Sequence, residues 1–274
     1  MLTSAQVEAY QRDGYHFPVD ILTPAEAAQY RQKLESYEAG AGGPIQGNLR
    51  HKPHLLFTWL QELIRHPKIL DAVEAIHGPD LLCWGTTFFI KEARDAGFVS
   101  WHQDSTYWGL SSPDVVTAWL AFTPANEVNG AMKFLAGTQH EQVGHQDTFH
   151  QDNLLSRGQE LAVEVDEAKS VLVELTPGQA SLHHVMLFHG SAPNRSPDRR
   201  IGLAIRYIPT HVRQIAGARD SATLVRGVDR FRHFDAEPVP DYDVSPAAVA
   251  AHAAIAHQQA QILYRGTDKA AFRP

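Results

Sequence analysis

The chain has 274 residues, of which 43% are hydrophobic and 9% aromatic, a composition that can bury a substantial core. Its formal net charge of −7 at pH 7 argues against a nucleic-acid-binding protein, whose binding surface would be basic. The single cysteine, Cys83, excludes intramolecular disulfides and cysteine-cluster metal sites, and its apolar neighbours predict a buried, inert thiol. The start of the sequence lacks a signal-peptide pattern and no apolar run reaches eighteen residues, so we expect a cytoplasmic protein without a membrane span.

The first eighty residues are predicted to form a helical flank. Thr3 opens a helix that runs to about Asp13. Thr23, with proline at the next position and Glu26 three residues on, is a strong start signal for a second helix, to about residue 38. Two shorter helices are expected over 55–63 and 67–76.

From residue 80 onward the pattern changes to strands separated by turn residues. Six strands are predicted, over 86–91, 115–122, 131–135, 170–175, 180–183 and 201–208. Helices followed by many antiparallel strands predict a mainly β fold, a jelly-roll barrel with flanking helices. We expect one domain over 1–274, with a barrel core at about 81–210 and a C-terminal extension at about 211–274. That extension carries an alanine-rich helix over 245–263, with His252 and His257 interpreted as surface histidines.

A His-x-Asp motif at His102-Gln103-Asp104 is the leading candidate for a metal site. The motif occurs four times, but His145 and His150 lie in a polar run over 144–152 that is predicted to be a loop, and His233 lies in another. Only His102 follows a strand-like apolar run. On a strand, side chains repeat with period two, so His102 and Asp104 are expected on the same face.

A second histidine from a distant strand completes a candidate ligand set. Three histidines compete in the apolar stretch 183–191; His189 is favoured because a glycine follows it, and His183 and His184 are interpreted as structural. Two histidines and one carboxylate leave coordination positions open, which is the arrangement of non-haem Fe(II) oxygenases.

The strand after His189 is predicted to face an anion. Strand alternation places Arg200, Gly202, Ala204 and Arg206 on one face, where cations stand among very small residues. A guanidinium matches the planar geometry of a carboxylate, so Arg200 predicts an oxo-acid co-substrate beside the metal. Arg199, the neighbouring candidate, is expected to point the opposite way.

Several motifs, in order and spacing over roughly residues 5–210, resemble the phytanoyl-CoA dioxygenase family. The motifs are Trp101-His102-Gln103-Asp104, Ala118-Trp119, Asn129-Gly130, Ala136-Gly137-Thr138-Gln139-His140, His189-Gly190-Ser191-Ala192-Pro193-Asn194 and Arg199-Arg200. The resemblance implies a double-stranded β-helix of cupin-like type that uses Fe(II), 2-oxoglutarate and O2 and releases succinate and CO2.

Carried over residue by residue, the resemblance implies that His102, Asp104 and His189 hold iron and that Arg200 binds the distal carboxylate of 2-oxoglutarate. Trp119 and Ser191 match positions that pack near this co-substrate, although Trp119 is equally consistent with the barrel core. Five further residues are candidates for the substrate pocket: Lys91, Gln103, Tyr107, Trp108 and Phe188. Lys91 could face either the pocket or the solvent. The aromatic residues are as consistent with the core as with substrate contact.

The expected reaction is hydroxylation of a small molecule, either a secondary metabolite or an acyl-type compound. We expect the enzyme to be a monomer or a homodimer. Desaturation, epimerisation and oxidative ring formation need the same ligands. Halogenation is disfavoured because halogenases resembling this family carry a small residue where Asp104 stands, and ectoine is disfavoured because its hydroxylase signature does not follow Asp104. A cupin-like zinc or manganese isomerase and an inactive binding module are the alternatives from other classes.

Overall fold

Residues 1–269 and 272 are described by the computed structural model, and in them five α-helices flank the sheets. They are α1 (Ser4–Asp13), α2 (Pro24–Ala41), α3 (Thr58–Leu63), α4 (Pro67–His77) and α5 (Pro246–Leu263). Thr3 and Thr23 each form a capping box at the start of α1 and α2, and the sequence predicts both helix starts. No helix in this described part is long and apolar enough to cross a membrane.

Thirteen strands are present in the same residues, more than the sequence predicts. They are β1 (Tyr15–Asp20), β2 (Leu81–Lys91), β3 (Val99–His102), β4 (Val116–Ala121), β5 (Met132–Leu135), β6 (His145–Asp147), β7 (Gln159–Leu161), β8 (Val171–Leu172), β9 (Gln179–His184), β10 (Phe188–Ser191), β11 (Arg200–Pro209), β12 (Ser221–Arg226) and β13 (Asp235–Ala236).

Two sheets enclose the interior of the barrel. The larger has the order β1-β9-β4-β11-β2-β12-β13, and the smaller has the order β3-β10-β5-β8. Side chains of β4, β9 and β11 on one side and of β3, β5 and β10 on the other line a common cavity. The predicted jelly-roll architecture with flanking helices is confirmed.

The central strand β11 separates the hydrophobic core from this cavity. Ile201, Leu203, Ile205 and Tyr207 are buried in the core that the helices form on the outer face of the large sheet. Alternation turns the other face of β11, which carries Arg200 and the small residues after it, toward the barrel interior. The predicted orientation of this strand is therefore confirmed.

Several local predictions are wrong. The flank is not purely helical, because β1 pairs with β9 at the edge of the large sheet. The run 144–152 contains β6, which pairs with β7, and the strand predicted over 170–175 is reduced to β8. His252 is not a surface residue: it is buried, and its Nε2 donates to the backbone oxygen of His51 at 2.8 Å. The pairing of β1 with β9 and the contact of His252 with His51 both join segments that are far apart in sequence.

Candidate metal centre

His102 and His189 lie directly opposite each other on antiparallel strands β3 and β10. Their ring centroids are 4.0 Å apart, and both side chains are buried, with 1% and 5% of the surface exposed. The sequence predicts a strand over 180–183 but no turn after it; in the structure the chain leaves β9 of the large sheet, turns, and enters β10 of the small sheet. This crossover places His189 beside His102 and leaves His183 on the opposite wall.

Backbone carbonyls orient both imidazoles. His102 Nδ1 lies 2.9 Å from the oxygen of Ser100 and 3.0 Å from that of His189, and His189 Nδ1 lies 2.9 Å from the oxygen of Leu187. A carbonyl only accepts hydrogen bonds, so each Nδ1 carries the proton and each Nε2 presents a lone pair. Burial lowers the pKa of His189 well below its ordinary value, which keeps this ring neutral.

Asp104 supplies the carboxylate of the group, but from a different backbone context than predicted. The strand ends at His102, and Asp104 begins a short 3₁₀ turn whose first N–H donates to the oxygen of Val185 at 2.9 Å. Burial opposes ionisation of Asp104, but the positive charge of Arg206 lowers the pKa of its carboxyl, which is an anion at neutral pH.

The three side chains fit a metal ion. One ligand atom from each of His102, Asp104 and His189 lies within 4.8 Å of the others. In the described part of the chain, this is the one group of buried residues found that could hold a metal ion. His102 Nε2 is 3.3 Å from Asp104 Oδ1, with the imidazole proton on the other nitrogen. Two lone pairs and a carboxylate facing one another in a buried space are a stable arrangement only with a cation between them.

Arg200 lies on the wall of the same cavity. Its side chain is 1% exposed, and its guanidinium is 5.2 Å from the centre of the Trp119 ring. Nη1 donates to the backbone oxygen of Gly130, while the buried Nε has no hydrogen-bond partner among the described residues. Burial lowers the pKa of Arg200 to about 10, so it remains a cation at neutral pH. A buried cation without a counter-ion fits an anionic ligand.

Lys91 faces the interior, directly opposite Arg200 across the β2–β11 pair. Its Nζ donates to Ser191 Oγ at 2.7 Å and to the backbone oxygen of Ala192. Burial and the neighbouring Arg200 lower the pKa of Lys91 to about 6. Lys91 is therefore buried in the interior and not exposed to solvent, and it contacts Ser191 of the inner cavity, although Lys91 itself lines neither of the two cavities at the site.

Two cavities meet at the candidate metal centre. The inner one is lined by the three candidate ligands, Trp119, Ser191 and Arg200. The outer one is lined by Tyr107 and Trp108 together with Trp84 and the end of α5. Phe89, Asp104 and Arg206 line both, so a molecule in the outer cavity would lie next to the metal ligands.

Gln103 and Phe188, both predicted to contact substrate, line neither cavity. The side chain of Gln103 is fully buried, and its amide bonds the backbone of Glu141, Val143 and Met186 at 2.7–2.9 Å. Gln103 therefore stabilises the loop beside the site. Phe188 is buried on β10, next to His189, where strand alternation turns the two side chains to opposite faces.

His183 is a residue of the inner cavity that sequence reasoning assigned to a structural role. Its ring centroid is 4.9 Å from that of His189, and its Nδ1 has no partner among the described residues. Of the other His-x-Asp motifs, His145 supports the site from behind, because its Nε2 accepts from the backbone N–H of Gln103 at 2.9 Å. Alternation along β9 could have indicated His183, but not which of three histidines meets His102.

Comparison with known proteins agrees with this geometry. A family model described as phytanoyl-CoA dioxygenase matches residues 10–202. A probable alpha-ketoglutarate-dependent hypophosphite dioxygenase of Stutzerimonas stutzeri is 27% identical over 222 residues, which cover 74% of this chain and 77% of that protein.

Two solved structures share the fold over most of their length. The non-heme monooxygenase ThoJ, in its apo form, superposes with a TM-score of 0.84 at 35% identity, over 94% of this chain and 97% of that one. CytC3 with Fe(II) and alpha-ketoglutarate superposes with a TM-score of 0.66 at 25% identity, over 90% and 98%. The chain therefore belongs to the phytanoyl-CoA dioxygenase family, the members of which are non-haem oxygenases dependent on Fe(II) and 2-oxoglutarate.

Proposed function

We propose that this oxygenase hydroxylates a small-molecule substrate, a secondary metabolite or an acyl-type compound, and releases succinate and CO2. The observation that carries the proposal is the buried group His102, Asp104 and His189 with Arg200 on the wall of the same cavity. An isomerase or binding module that uses no oxo acid would have no need of this buried guanidinium.

In this proposal, His102, Asp104 and His189 hold Fe(II), which supplies the oxygen-activating redox chemistry when bound. The chain itself keeps both imidazoles neutral and oriented through the carbonyls of Ser100 and Leu187. Such fixed outer hydrogen bonds hold the ligands in one geometry and reduce the reorganisation that metal binding requires.

The co-substrate would be held by its two carboxylates at opposite ends of the inner cavity. Arg200 binds the distal carboxylate, and the ring of Trp119 forms the wall beside that guanidinium. Ser191 and Lys91 add donors at the same end, since Lys91 Nζ is hydrogen-bonded to Ser191 Oγ. We therefore assign Lys91 to the co-substrate rather than to the substrate.

The substrate would occupy the outer cavity, whose wall includes Asp104. Tyr107 and Trp108 line it. Insertion of one oxygen atom is favoured over the other reactions of such sites because ThoJ, at 35% identity, is described as a monooxygenase.

Product analysis under ¹⁸O-labelled oxygen tests the proposal. The enzyme would be incubated with Fe(II), 2-oxoglutarate and a small-molecule extract of its source cells, and succinate and new products followed by mass spectrometry. We expect succinate formation matched by a product that gains one labelled oxygen atom. A product that loses two hydrogens and gains no label contradicts the hydroxylase assignment, and an absence of succinate contradicts the oxygenase itself.

A further inference from the structure

Arg206 is a second buried cation, located where the two cavities meet. It lies on β11, six residues after Arg200 on the same face, and is 7% exposed. Nη1 donates to Thr87 Oγ1 at 2.8 Å, and the guanidinium is 5.0 Å from the centre of the Trp108 ring. Within the described residues neither Nε nor Nη2 has an acceptor. One edge of the fork is therefore without a partner.

Two other arginines near the site are neutralised by carboxylates. Arg157 Nε donates to Asp147 Oδ2 at 2.8 Å, and Arg199 pairs with Glu38 at 2.7 Å. Arg206, by contrast, forms no ion pair within 4.0 Å in the part of the chain that the structure describes. The carboxylate whose field acts on it is that of Asp104, which the proposed function commits to the metal. A buried guanidinium left in this state is costly unless a ligand supplies the anion.

The outer cavity has the composition of a site for an anion attached to an apolar body. Arg50, Arg157 and Arg206 line it, whereas Asp104 is the one carboxylate among the described residues of its wall. Trp84 and Trp108 provide an aromatic surface, with ring centroids 4.9 Å apart. Arg206, which forms no ion pair with the described residues, favours an acidic ligand, and the indoles favour a ligand with an apolar part.

We propose that the substrate of this enzyme is a carboxylic acid, and that Arg206 binds its carboxylate while the apolar part lies against Trp108 in the outer cavity. The assignment rests on the proposed function. It places the substrate carboxylate on Arg206, next to Asp104, and it places the carbon atom that is oxidised in the same cavity. A carboxylate matches the open Nε–Nη2 edge of Arg206, which can donate two parallel hydrogen bonds. Arg206 is thereby a specificity-determining residue, distinct from Arg200.

Matched acids and amides test this assignment without knowledge of the natural substrate. The probes are phenylacetate, indole-3-acetate and N-acetylphenylalanine, each beside its primary amide, with affinities measured by calorimetry. The protein is loaded with Fe(II) and saturated with 2-oxoglutarate under nitrogen, so that the Arg200 site is filled and no turnover occurs. We expect at least one acid to bind about 10- to 100-fold more tightly than its amide, the ratio for a hydrogen bond to a charged group.

Arg206→Met should reduce this ratio to about one while amide affinity and 2-oxoglutarate affinity stay unchanged. Arg206→Gln, which keeps a donor but no charge, should reduce it in the same direction and serves if the methionine variant does not fold. Arg213→Met removes an exposed arginine just beyond β11 and should behave as wild type.

Three results would overturn the assignment: equal binding of every acid and its amide by wild type, an acid preference that survives loss of Arg206, or loss of Fe(II) binding in the folded Arg206 variants. The last would mean that Arg206 positions Asp104 instead of binding substrate. Absence of succinate formation, in contrast, would contradict the proposed oxygenase and is measured separately from these affinities.

Discussion

Gly202 on β11 lies directly against the indole of Trp119 on β4. A β-carbon placed on Gly202 would come within 1.9 Å of Trp119 Cζ2. In the strand register Ala204 is opposite Trp119, so the indole extends diagonally over Gly202 toward Arg200. The small residues on this face of β11 therefore make room for an aromatic wall beside the buried guanidinium.

Gly202→Ala should damage the co-substrate site. The added methyl group has to displace the Trp119 ring or the strand, an overpacking cost of about 1–3 kcal/mol in the free energy of unfolding. We expect lower stability and a higher KM for 2-oxoglutarate, measured by urea unfolding and by succinate formation. Gly40→Ala, where a β-carbon meets nothing within 4 Å, is the matched control and should not lose stability. Wild-type stability of Gly202→Ala would show that Trp119 is not held where the structure places it.

His102→Ala and His189→Ala should each abolish binding of Fe(II) and turnover while the protein stays folded. Both residues lie at the lining of a cavity, so their truncation removes no part of the main hydrophobic core. Metal content by elemental analysis and unfolding curves would check the two halves of this prediction. His150→Ala, in another His-x-Asp motif, is the control and should bind one Fe(II) per chain. Full activity of His189→Ala would instead identify His183 as the ligand.

Arg200→Leu should raise the requirement for 2-oxoglutarate strongly. Loss of the partner of a buried carboxylate costs about 2–5 kcal/mol, which corresponds to a KM at least roughly 30-fold higher. Arg199→Leu is the matched control, because Arg199 points to the other side and pairs with Glu38 and Glu92. It should leave the KM nearly unchanged and affect stability alone. The reverse pattern would mean that the co-substrate lies on the other face of β11.

The location of the site could be predicted because it depends on local rules. Strand alternation is a property of the backbone, and it correctly separates Arg200 from Arg199. The same rule predicts that His102 and Asp104 lie together, and they do, but not by strand alternation, because the strand ends at His102 and a 3₁₀ turn supplies Asp104. The juxtaposition is predictable, but the backbone conformation that produces it is not.

The side chains that were misplaced have orientations decided by distant parts of the chain. Gln103 is held by residues 38 to 83 positions away in sequence, and His252 by His51, 201 positions away. The crossover between β9 and β10 is hidden in the apolar residues 185–187, which carry no turn signal. Hydrophobic periodicity contains no information on such contacts, so the residues around the metal ligands required the structure.

Lys91 should make the stability of the protein depend on pH. Its pKa is lowered to about 6 from an ordinary value of 10.5 by burial and by Arg200. Between these values the unfolded chain binds one proton more than the folded chain, so this residue makes the free energy of unfolding rise with pH in that window. In Lys91→Met this contribution is lost, and the difference between variant and wild type should change steadily from pH 6.5 to 9.

Urea unfolding at several pH values measures this effect. Lys33 is exposed, so Lys33→Met is the control, and its free energy of unfolding should change with pH in parallel with that of wild type. Binding of 2-oxoglutarate should also take up a proton near pH 7.5, because a carboxylate beside Lys91 favours its charged form. Calorimetry in buffers of different ionisation enthalpy detects that uptake. Proton release, or no exchange, would show that the co-substrate does not lie next to Lys91.

The unmutated enzyme should not transfer halide to its product, even in high chloride or bromide. Asp104 is ionised and lies within 4.8 Å of both histidine ligand atoms, so its carboxylate occupies the position that an added halide ligand would need. The related halogenases free this position by carrying a small residue there. We expect the product to gain labelled oxygen and no halogen, as measured by mass spectrometry under labelled oxygen with excess bromide, whose isotope pattern is unmistakable. Asp104→Ala is the matched variant: it should bind Fe(II) more tightly with bromide than without, whereas wild type should show no such dependence. A brominated product from wild type would contradict the prediction, since it requires Asp104 to leave the metal during turnover.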